Sequence, residues 1–537
     1  MGKDGKQAEN TWSASYRLSE TERLQRAIQA TIAAGYQLDS EAFSFLSAIA
    51  STDDPAEVMK KAVQRIETLG TKPTFIDKDF LEATVRKPET VEYPEDASQQ
   101  ANINREGASE PVTPEGAPLF QPYAKNVDSD FTVIEDATKK FSSNGTMEDY
   151  LQYFQDRFKR LERLLRQRID VKAATPIQEA AKSQPRAKLK IICMITEKRE
   201  SKQNIVLTVE DLQASATALV THKSSEELHK KAQMLLPDQV VCLAVMKTRS
   251  RLFLVEDIIF PEVGQKPRQR ASQPVYAVLT SDLHVGSMKF NKDSFKRFIL
   301  WLNGKYGNDK MKEMAGHVKY VLAAGDIVDG IGVYPNQAKE LVIKDINNQY
   351  KLAAKLISKI PDYIEVVVSP GNHDAPRKAL PMPAISNAAL LELQQTGRVH
   401  SLGDPSMVSL HKVDVLMYHG RSLDDIIGTV PGITHDHPEK AMRLLLQGRH
   451  LAPQYGGKTM LSPENRDFLI IEKVPDIFHA GHIHVVGQCN YRGVTIINSG
   501  GWQEQTEYMQ KLGLVPTPGK VPVVNLQTLE TSILSFN

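Results

Sequence analysis

Five short clusters of acid, imidazole and amide residues carry the chemical potential of this sequence. They are Ser281-Asp282-Leu283-His284, Gly325-Asp326-Ile327-Val328-Asp329-Gly330, Gly371-Asn372-His373-Asp374, His419-Gly420 and His479-Ala480-Gly481-His482-Ile483-His484. Asp, Asn and His together supply anionic oxygen, neutral oxygen and neutral nitrogen, a donor mixture that suits divalent cations. Two such cations ~3.5–4 Å apart clamp a phosphate and lower the pKa of a bridging water. Four metal charges set against two Asp ligands and a bridging hydroxide leave the site net positive, so a phosphodiester anion is attracted to it. A single DxH or GD pair is an ordinary polar loop; five clusters in this order are a site.

The elements that must gather these clusters are legible beside them. Val275 to Thr280, Tyr320 to Ala324, Ile364 to Val368, Val413 to Tyr418 and Ile477-Phe478 are apolar, β-rich runs, and each leads into one cluster. In an α/β sheet the loops at the carboxyl ends of the strands collect at one edge, so ligands far apart in sequence can meet in one crevice.

The motifs DxH, GDxxD, GNHD, HG and GHxH resemble those of the calcineurin-like metallophosphoesterase superfamily. Gly330-Ile331-Gly332-Val333-Tyr334-Pro335, Arg449-His450-Leu451-Ala452-Pro453, and the tail from Asn498-Ser499-Gly500 through Gln505-Thr506-Glu507 to Pro516-Thr517-Pro518 further resemble the small subunits of archaeal family-D DNA polymerases. This similarity runs from about Pro118 to the C-terminus. It implies a multidomain α/β protein: a metallophosphoesterase β-sandwich flanked by helices, preceded by an OB-fold and a small N-terminal helical domain. It also implies roles for single residues. Asp282, His284 and His484 would bind a first metal and Asn372, His419 and His482 a second, with Asp326 bridging. His373 would act as general acid, oriented by Asp374, while a bridging hydroxide attacks phosphorus. The metals expected are two divalent ions, manganese first, with iron, zinc, nickel or magnesium as alternatives.

The activity implied is a metal-dependent 3′-to-5′ exodeoxyribonuclease that proofreads within a heterodimeric polymerase. Nucleotide addition would reside in the large catalytic subunit, and further partners would be single-stranded 3′ ends of DNA and, indirectly, the sliding clamp. The compartment expected is the cytoplasm, at the nucleoid. Three rival readings fit less well. Phosphoprotein phosphatases usually carry Arg after the second Asp of GDxxD and Glu in GNHE, where this chain has Gly330 and Asp374. The double-strand-break repair nuclease normally lacks an OB-like module before its motifs. A pure scaffold predicts substitutions among the ligands, and none is present. Outside the ligand set, Asp329 reads as a hydrogen-bond acceptor and His479 as structural. His435 and His437 read as a polar loop near the cleft, and His450 as packed or touching a partner.

The remaining sequence divides into modules. The chain has 537 residues, 66 Lys plus Arg against 65 Asp plus Glu, and 41% hydrophobic residues, which excludes a wholly disordered chain and binding of nucleic acid by overall basicity. Residues 1–75 read as a helical domain, with apolar positions at Leu24, Ile28, Thr31 and Ile32, at Phe43, Leu46 and Ile49, and at Val58, Ala62 and Ile66. Ser19 and Ser40 are candidate N-caps and Gly70 a stop. Residues 76–125 read as a flexible linker, with six prolines between Pro88 and Pro122. Residues 126–186 read as a helical, basic connector. In it Met147 to Ile169 places Leu151, Phe154, Phe158, Leu161 and Leu165 on one face, and Arg157, Lys159, Arg160, Arg163, Arg166 and Arg168 over much of the rest, a solvated charged face with phosphate contact as the alternative. Residues 187–270 show five apolar segments with a helix from Ser225 to Leu236 between the third and fourth, the order of an OB barrel. Its strands contain one aromatic residue, Phe253, a poor stacking platform. Residues 271–537 form the metallophosphoesterase part. Cys193, Cys242 and Cys489 are far apart with no CxxC, against a disulfide framework or a cysteine zinc site. The start Met1-Gly2-Lys3 lacks an apolar signal core, the myristoylation pattern fails at Lys6, and no apolar run approaches ~18 residues, so a soluble, intracellular protein with no membrane partner is expected.

Overall fold

The computed structural model describes residues 120–537 save 202–203, 250–251 and 266, together with residues 24, 26–27, 31, 37–38, 40–49, 54–69, 75–76 and 81. The chain divides into two units, residues 1–115 and 116–537.

In the first unit, helices Ser40–Ile49 and Pro55–Leu69 bury Ala42 and Leu46, and Val58, Met59 and Ala62, with Ala27 and Leu81. The i, i+4 spacing of Ala42 with Leu46 and of Val58 with Ala62 is one face of a helix. Two features depart from expectation. Ser40 is the first helical residue, and Phe43 is 43% exposed because it lies off that face. A two-residue parallel pair, Gln37–Leu38 with Phe75–Ile76, also occurs. Ser19, Ile28, Ile32, Gly70 and the proline-rich stretch up to residue 119 lie outside the described residues.

The second unit contains a closed five-stranded barrel. Its strands are Lys188–Ser201, Asn204–Glu210, Ser215–Val220, Val240–Lys247 and Leu252–Ile259, with the fifth between the third and fourth and the fourth returning to the first. Ile191, Cys193 and Ile195, like Ile205, Leu207 and Val209, point inward at the period of two that a half-buried strand imposes. The helix Glu226–Gln233 separates the third and fourth strands, and Ser225 caps it by accepting from the Leu228 N–H at 3.2 Å. Phe253 is buried inside the barrel and offers no face for stacking.

Two six-stranded sheets form the rest of the core. The first runs in the order Val399–Ser401, Glu365–Ser369, Val318–Ala324, Tyr276–Thr280, Lys520–Asn525 and Thr531–Ser535; the first four strands are parallel. The second runs Gly487–Tyr491, Val494–Asn498, Ile477–Ala480, Val413–Tyr418, Ser406–Leu410 and Phe131–Asp136. Val318–Ala324 is buried along its whole length, which explains why it reads as an unbroken apolar run: both faces of a central parallel strand are covered. Between the sheets, Leu279, Leu322 and Val367 meet Val415, Met417 and Ile497. Helices Lys292–Leu302, Asp309–His317 and Ile346–Ile357 cover the outer face of the first sheet. Helices Leu423–Thr429 and Pro438–Gly448 cover that of the second. The result is a sandwich of two sheets flanked by helices, a mixed α/β architecture. No described helix is long and apolar enough to cross a membrane.

The connector differs from its expected form. Phe131–Asp136 is an edge strand of the second sheet, paired antiparallel with Ser406–Leu410, so this stretch belongs to the sandwich. The helix that follows spans Met147–Arg166, ending before Ile169; Thr146 and Asp149 form a capping box at its start. Phe158, Leu161 and Leu165 are buried as the stripe requires, whereas Leu151 is exposed. The largest correction concerns Arg157, expected on the solvated face and found fully buried. Its Nε donates to Asp467 at 2.8 Å, one terminal nitrogen to Tyr153 Oη at 3.0 Å, and the other to the Pro453 carbonyl and, at 3.4 Å, to the Asp238 carbonyl of a barrel turn. A charge can be buried there because its partner is charged and its donors are satisfied. Arg160 and Arg163 pair with Glu472, Arg166 with Glu162 and Arg168 with Asp170. These four arginines are paired with carboxylates rather than free in solvent.

Candidate metal centre

All five clusters leave the carboxyl ends of parallel strands: three in the first sheet, and Val413–Tyr418 and Ile477–Ala480 in the second. The gathering is tight. Three groups of side chains each lie with their donor atoms within 4.8 Å of one another: Asp282, His284 and His484; His284, Asp326 and His373; Asp326, His419 and His482. Asp326 is common to two of them, and Asn372 joins through Oδ1, 3.0 Å from His419 Nε2.

The backbone is bent to achieve this. Asp282, His284, Asp326, His482 and His484 all have left-handed φ, between 51° and 72°. For residues with a Cβ this costs roughly 1–2 kcal/mol each, and such strain concentrates at functional sites. At Asp282/His284 and again at His482/His484 it alternates with Leu283 and Ile483, and both members of each pair face the cluster. Gly371 is needed for a different reason: a Cβ there would lie 2.2 Å from Asp326 Oδ1.

Hydrogen bonds fix which ring nitrogen faces inward. His284 Nδ1 donates to Asp329 Oδ1 at 2.9 Å, so Nε2 is the nitrogen turned inward; it lies 3.1 Å from His484 Nε2 and 3.6 Å from Asp326 Oδ2. His419 Nδ1 donates to the Ala324 carbonyl at 2.9 Å, which leaves Nε2 as the nitrogen turned inward, 3.4 Å from Asp326 Oδ2. His482 Nε2 is engaged by Asp424 Oδ2 at 3.1 Å, so Nδ1 is the nitrogen left for the cluster. The His482 N–H also donates to both Asp282 oxygens, at 3.0 and 3.2 Å.

Imidazole nitrogens thus converge on carboxylate and amide oxygens, an arrangement that positive charge on or between them stabilises. The titration directions agree. Burial pushes Asp326 up, but His419 and His373 outweigh it and hold its carboxyl well below the usual range. Burial likewise opposes, and His484 and His419 overcome, so that Asp282 falls to about 2. For His419 burial lowers the ring, yet Asp326 prevails and raises it to about 10. Residues of this kind fit divalent cations with oxygen and nitrogen preferences.

His373 differs from the other rings. Its Nδ1 donates to the Asp329 carbonyl at 2.7 Å, and its Nε2 lies 4.0 Å from Asp326 Oδ2 with the side chain 13% exposed. Burial first, and the neighbouring His284, push it down to about 4 despite Asp326. Asp374 does not orient it, contrary to the sequence expectation. The Asp374 carboxylate accepts from the N–H groups of Gly371, Ile327 and Val328 at 2.8, 3.1 and 3.3 Å and from Tyr350 Oη at 2.9 Å. It ties the GNHD loop to the GDxxD loop, and its oxygens are fully used in doing so.

The other residues singled out fall into place. Asp329 accepts from His284, Gln503 and Gln337 and sits outside the three donor groups. His479 is buried, its Nε2 3.0 Å from Ser499 Oγ, at the end of a chain that runs through Ser281 to Asp282. His450 is packed against Asp467. His437 pairs with Glu439, while His435 lies 3.4 Å from Asp424 and so reaches His482 through it. Asp424 was missed in the sequence, as was Asp404, whose Oδ1 accepts from the His419 N–H at 2.7 Å and which burial raises to about 7. Nothing in their spacing sets either apart from surface acids.

Comparison with known proteins adds ancestry to this geometry. A family model for the B-type subunits of DNA polymerases alpha and epsilon matches residues 277–485. The DNA polymerase II small subunit of Archaeoglobus fulgidus is 42% identical over 73% of this chain and 78% of its own length. That of Methanothermobacter thermautotrophicus is 36% identical over 88% and 92%, and that of Halobacterium salinarum 32% identical over 95% and 99%. Among solved structures, an archaeal phosphodiesterase aligns with 48% of this chain and 99% of its own at 13% identity and a TM-score of 0.25, too remote to carry argument. Sequence likeness that extends over nearly the full length of such relatives is decisive: the chain belongs to the family of archaeal DNA polymerase II small subunits.

Proposed function

We propose that this chain is the proofreading nuclease of a two-subunit DNA polymerase, removing nucleotides from 3′ ends by metal-dependent hydrolysis of phosphodiester bonds. The observation that carries the reading is Asp326, a buried carboxylate shared by two groups of inward-facing donors. Asp282, His284 and His484 would hold one divalent cation and Asn372, His419 and His482 another, with Asp326 between them and manganese the preferred ion. Bound there, the pair would supply Lewis-acid charge to the phosphodiester and acidify the attacking water.

The chain's own residues do the rest. His373 presents Nε2 toward the cluster while its Nδ1–H is committed to Asp329, so Nε2 is the atom that hands a proton to the departing 3′ oxygen. Burial lowers the free ring, and a phosphodiester anion beside it would favour the charged form that this step requires. Asp329 and Asp424 hold the tautomers of His284 and His482.

Nucleotide addition belongs to a large catalytic subunit, the partner implied by the family, with the sliding clamp reached through it. The five-stranded barrel is an OB fold that serves docking to protein, since its one strand aromatic is buried. Cytoplasmic residence at the nucleoid follows from this role. The test is to purify Asp326→Ala and His419→Ala with the large subunit: both are expected to lose 3′-end degradation and keep primer extension. Nuclease activity equal to that of the parent chain sinks the assignment.

A further inference from the structure

The loop after Asp329 contains residues that the cation cluster does not use. Gly330 sits at φ 72°, and a Cβ there would lie 2.1 Å from the His373 carbonyl oxygen, so glycine lets the two loops touch. Buried Gln349 pins the same residue, accepting from the Gly330 N–H at 2.9 Å and donating to its carbonyl at 3.1 Å. The loop then delivers Tyr334, whose ring centre is 6.2 Å from that of His373 and whose hydroxyl donates to Glu340 at 3.0 Å. Tyr508, from the short helix Glu507–Lys511, stacks on Tyr334 with ring centres 5.8 Å apart and planes at 26°. Tyr508 remains 51% exposed. A cluster built for a phosphodiester therefore opens onto a fixed and partly exposed aromatic pair.

We infer that Tyr334 and Tyr508 form a stacking bracket for the unpaired base at the 3′ end whose phosphodiester lies in the cluster. This rests on the nuclease reading above. Every phosphodiester in DNA carries a base one sugar away, and an aromatic ring stacks on any base through its π-face without reading sequence. The Glu340 bond and the stack on Tyr508 hold the Tyr334 ring in place before substrate arrives, so binding spends little rotamer entropy. A paired 3′-terminal base is held by its base pair and by the stack on its inner neighbour, so the bracket favours frayed or mispaired ends, which have less to give up.

The test uses the full chain with manganese and two single-stranded oligonucleotides, one ending in thymidine and one in an abasic nucleotide. The parent chain is expected to show a KM about tenfold higher for the abasic end. That difference should shrink below twofold in Tyr508→Ala and persist in Tyr508→Phe. A second readout, in EDTA so that nothing is cleaved, is the fluorescence of a 3′-terminal 2-aminopurine, quenched by the parent and by Tyr508→Phe but not by Tyr508→Ala. Equal KM for the two ends in the parent, or quenching retained in Tyr508→Ala, overturns the bracket. If the parent degrades neither end, the nuclease reading fails, and quenching alone then decides the bracket.

Discussion

The Nδ1 of His373 donates to the carbonyl oxygen of Asp329 at 2.7 Å, so the ring is aimed by a backbone atom of a different loop from its own. Its sequence neighbour Asp374 points the other way and holds three backbone N–H groups and Tyr350 Oη. The two residues therefore separate by experiment. His373→Ala is expected to slow cleavage by about 10²–10⁴-fold while manganese content and melting temperature stay near the parent. Asp374→Ala strands buried donors and should cost at least ~2 kcal/mol in denaturant unfolding. Loss of bound manganese in His373→Ala, measured by elemental analysis, would show that it is a ligand.

Asp424 links His482 to His435, with Oδ2 on one ring and Oδ1 near the other. Burial opposes its ionisation, but His482 prevails and keeps it well below the usual carboxylate range, a charged partner for the ring. Asp424→Asn preserves the shape and removes the charge. Manganese binding by calorimetry should weaken about 10- to 100-fold; an unchanged Kd rejects the orienting role.

Gly371 lies against Asp326 and the His419 ring, with 2.2 Å to Asp326 Oδ1 and 2.7 Å to His419 Cε1 from an added Cβ. Gly371→Ala must displace the shared carboxylate. The expected outcome is a stability loss of about 1–3 kcal/mol together with fewer manganese ions bound per chain. Parent-like stoichiometry would mean the loop absorbs the methyl without moving Asp326.

His450 makes acid stability predictable. The Ala452 N–H donates to its Nδ1 at 3.1 Å and its Nε2–H donates to Asp467 at 2.7 Å, so a second ring proton would face a donor. Burial, with Arg157 adding to it, lowers the ring to about 4. In the unfolded chain a histidine titrates near ~6.5, so between these values the unfolded state binds more protons and stability falls as pH falls. About 3 kcal/mol should be lost from pH 6.5 to pH 4. Asp467 is depressed too, because His450 and Arg157 outweigh burial; its contribution is lost further down, as pH falls below the ordinary Asp range. Urea unfolding of His450→Gln across that window should show a shallower slope, and an identical slope refutes the account.

Much of the fold was legible because the demand was local. Strand runs of alternating or unbroken apolar residues announced the barrel and the central strands, since burial on one face or two leaves those patterns. The clusters after each strand announced where acid, imidazole and amide groups would gather, because loops at the carboxyl ends of parallel strands share one edge. The sequence could not say that Phe131–Asp136 adds an edge strand to the second sheet, as pairing is a long-range choice. Nor could it say that Arg157 is buried: a helical wheel shows an arginine off the apolar stripe, whereas the structure brings Asp467 and the Pro453 carbonyl to meet it.

The identity and order of the donors were set by the amino-acid sequence alone, because chemistry is carried by side-chain type. Which nitrogen each ring presents, that Asp326 is shared, that Asp329 rather than Asp374 aims His373, and that Tyr334 stands beside it with Tyr508 stacked on Tyr334 were decided only by the tertiary structure. Those are relations between loops brought together by packing, fixed by hydrogen bonds and left-handed backbone turns that leave no periodic trace along the chain.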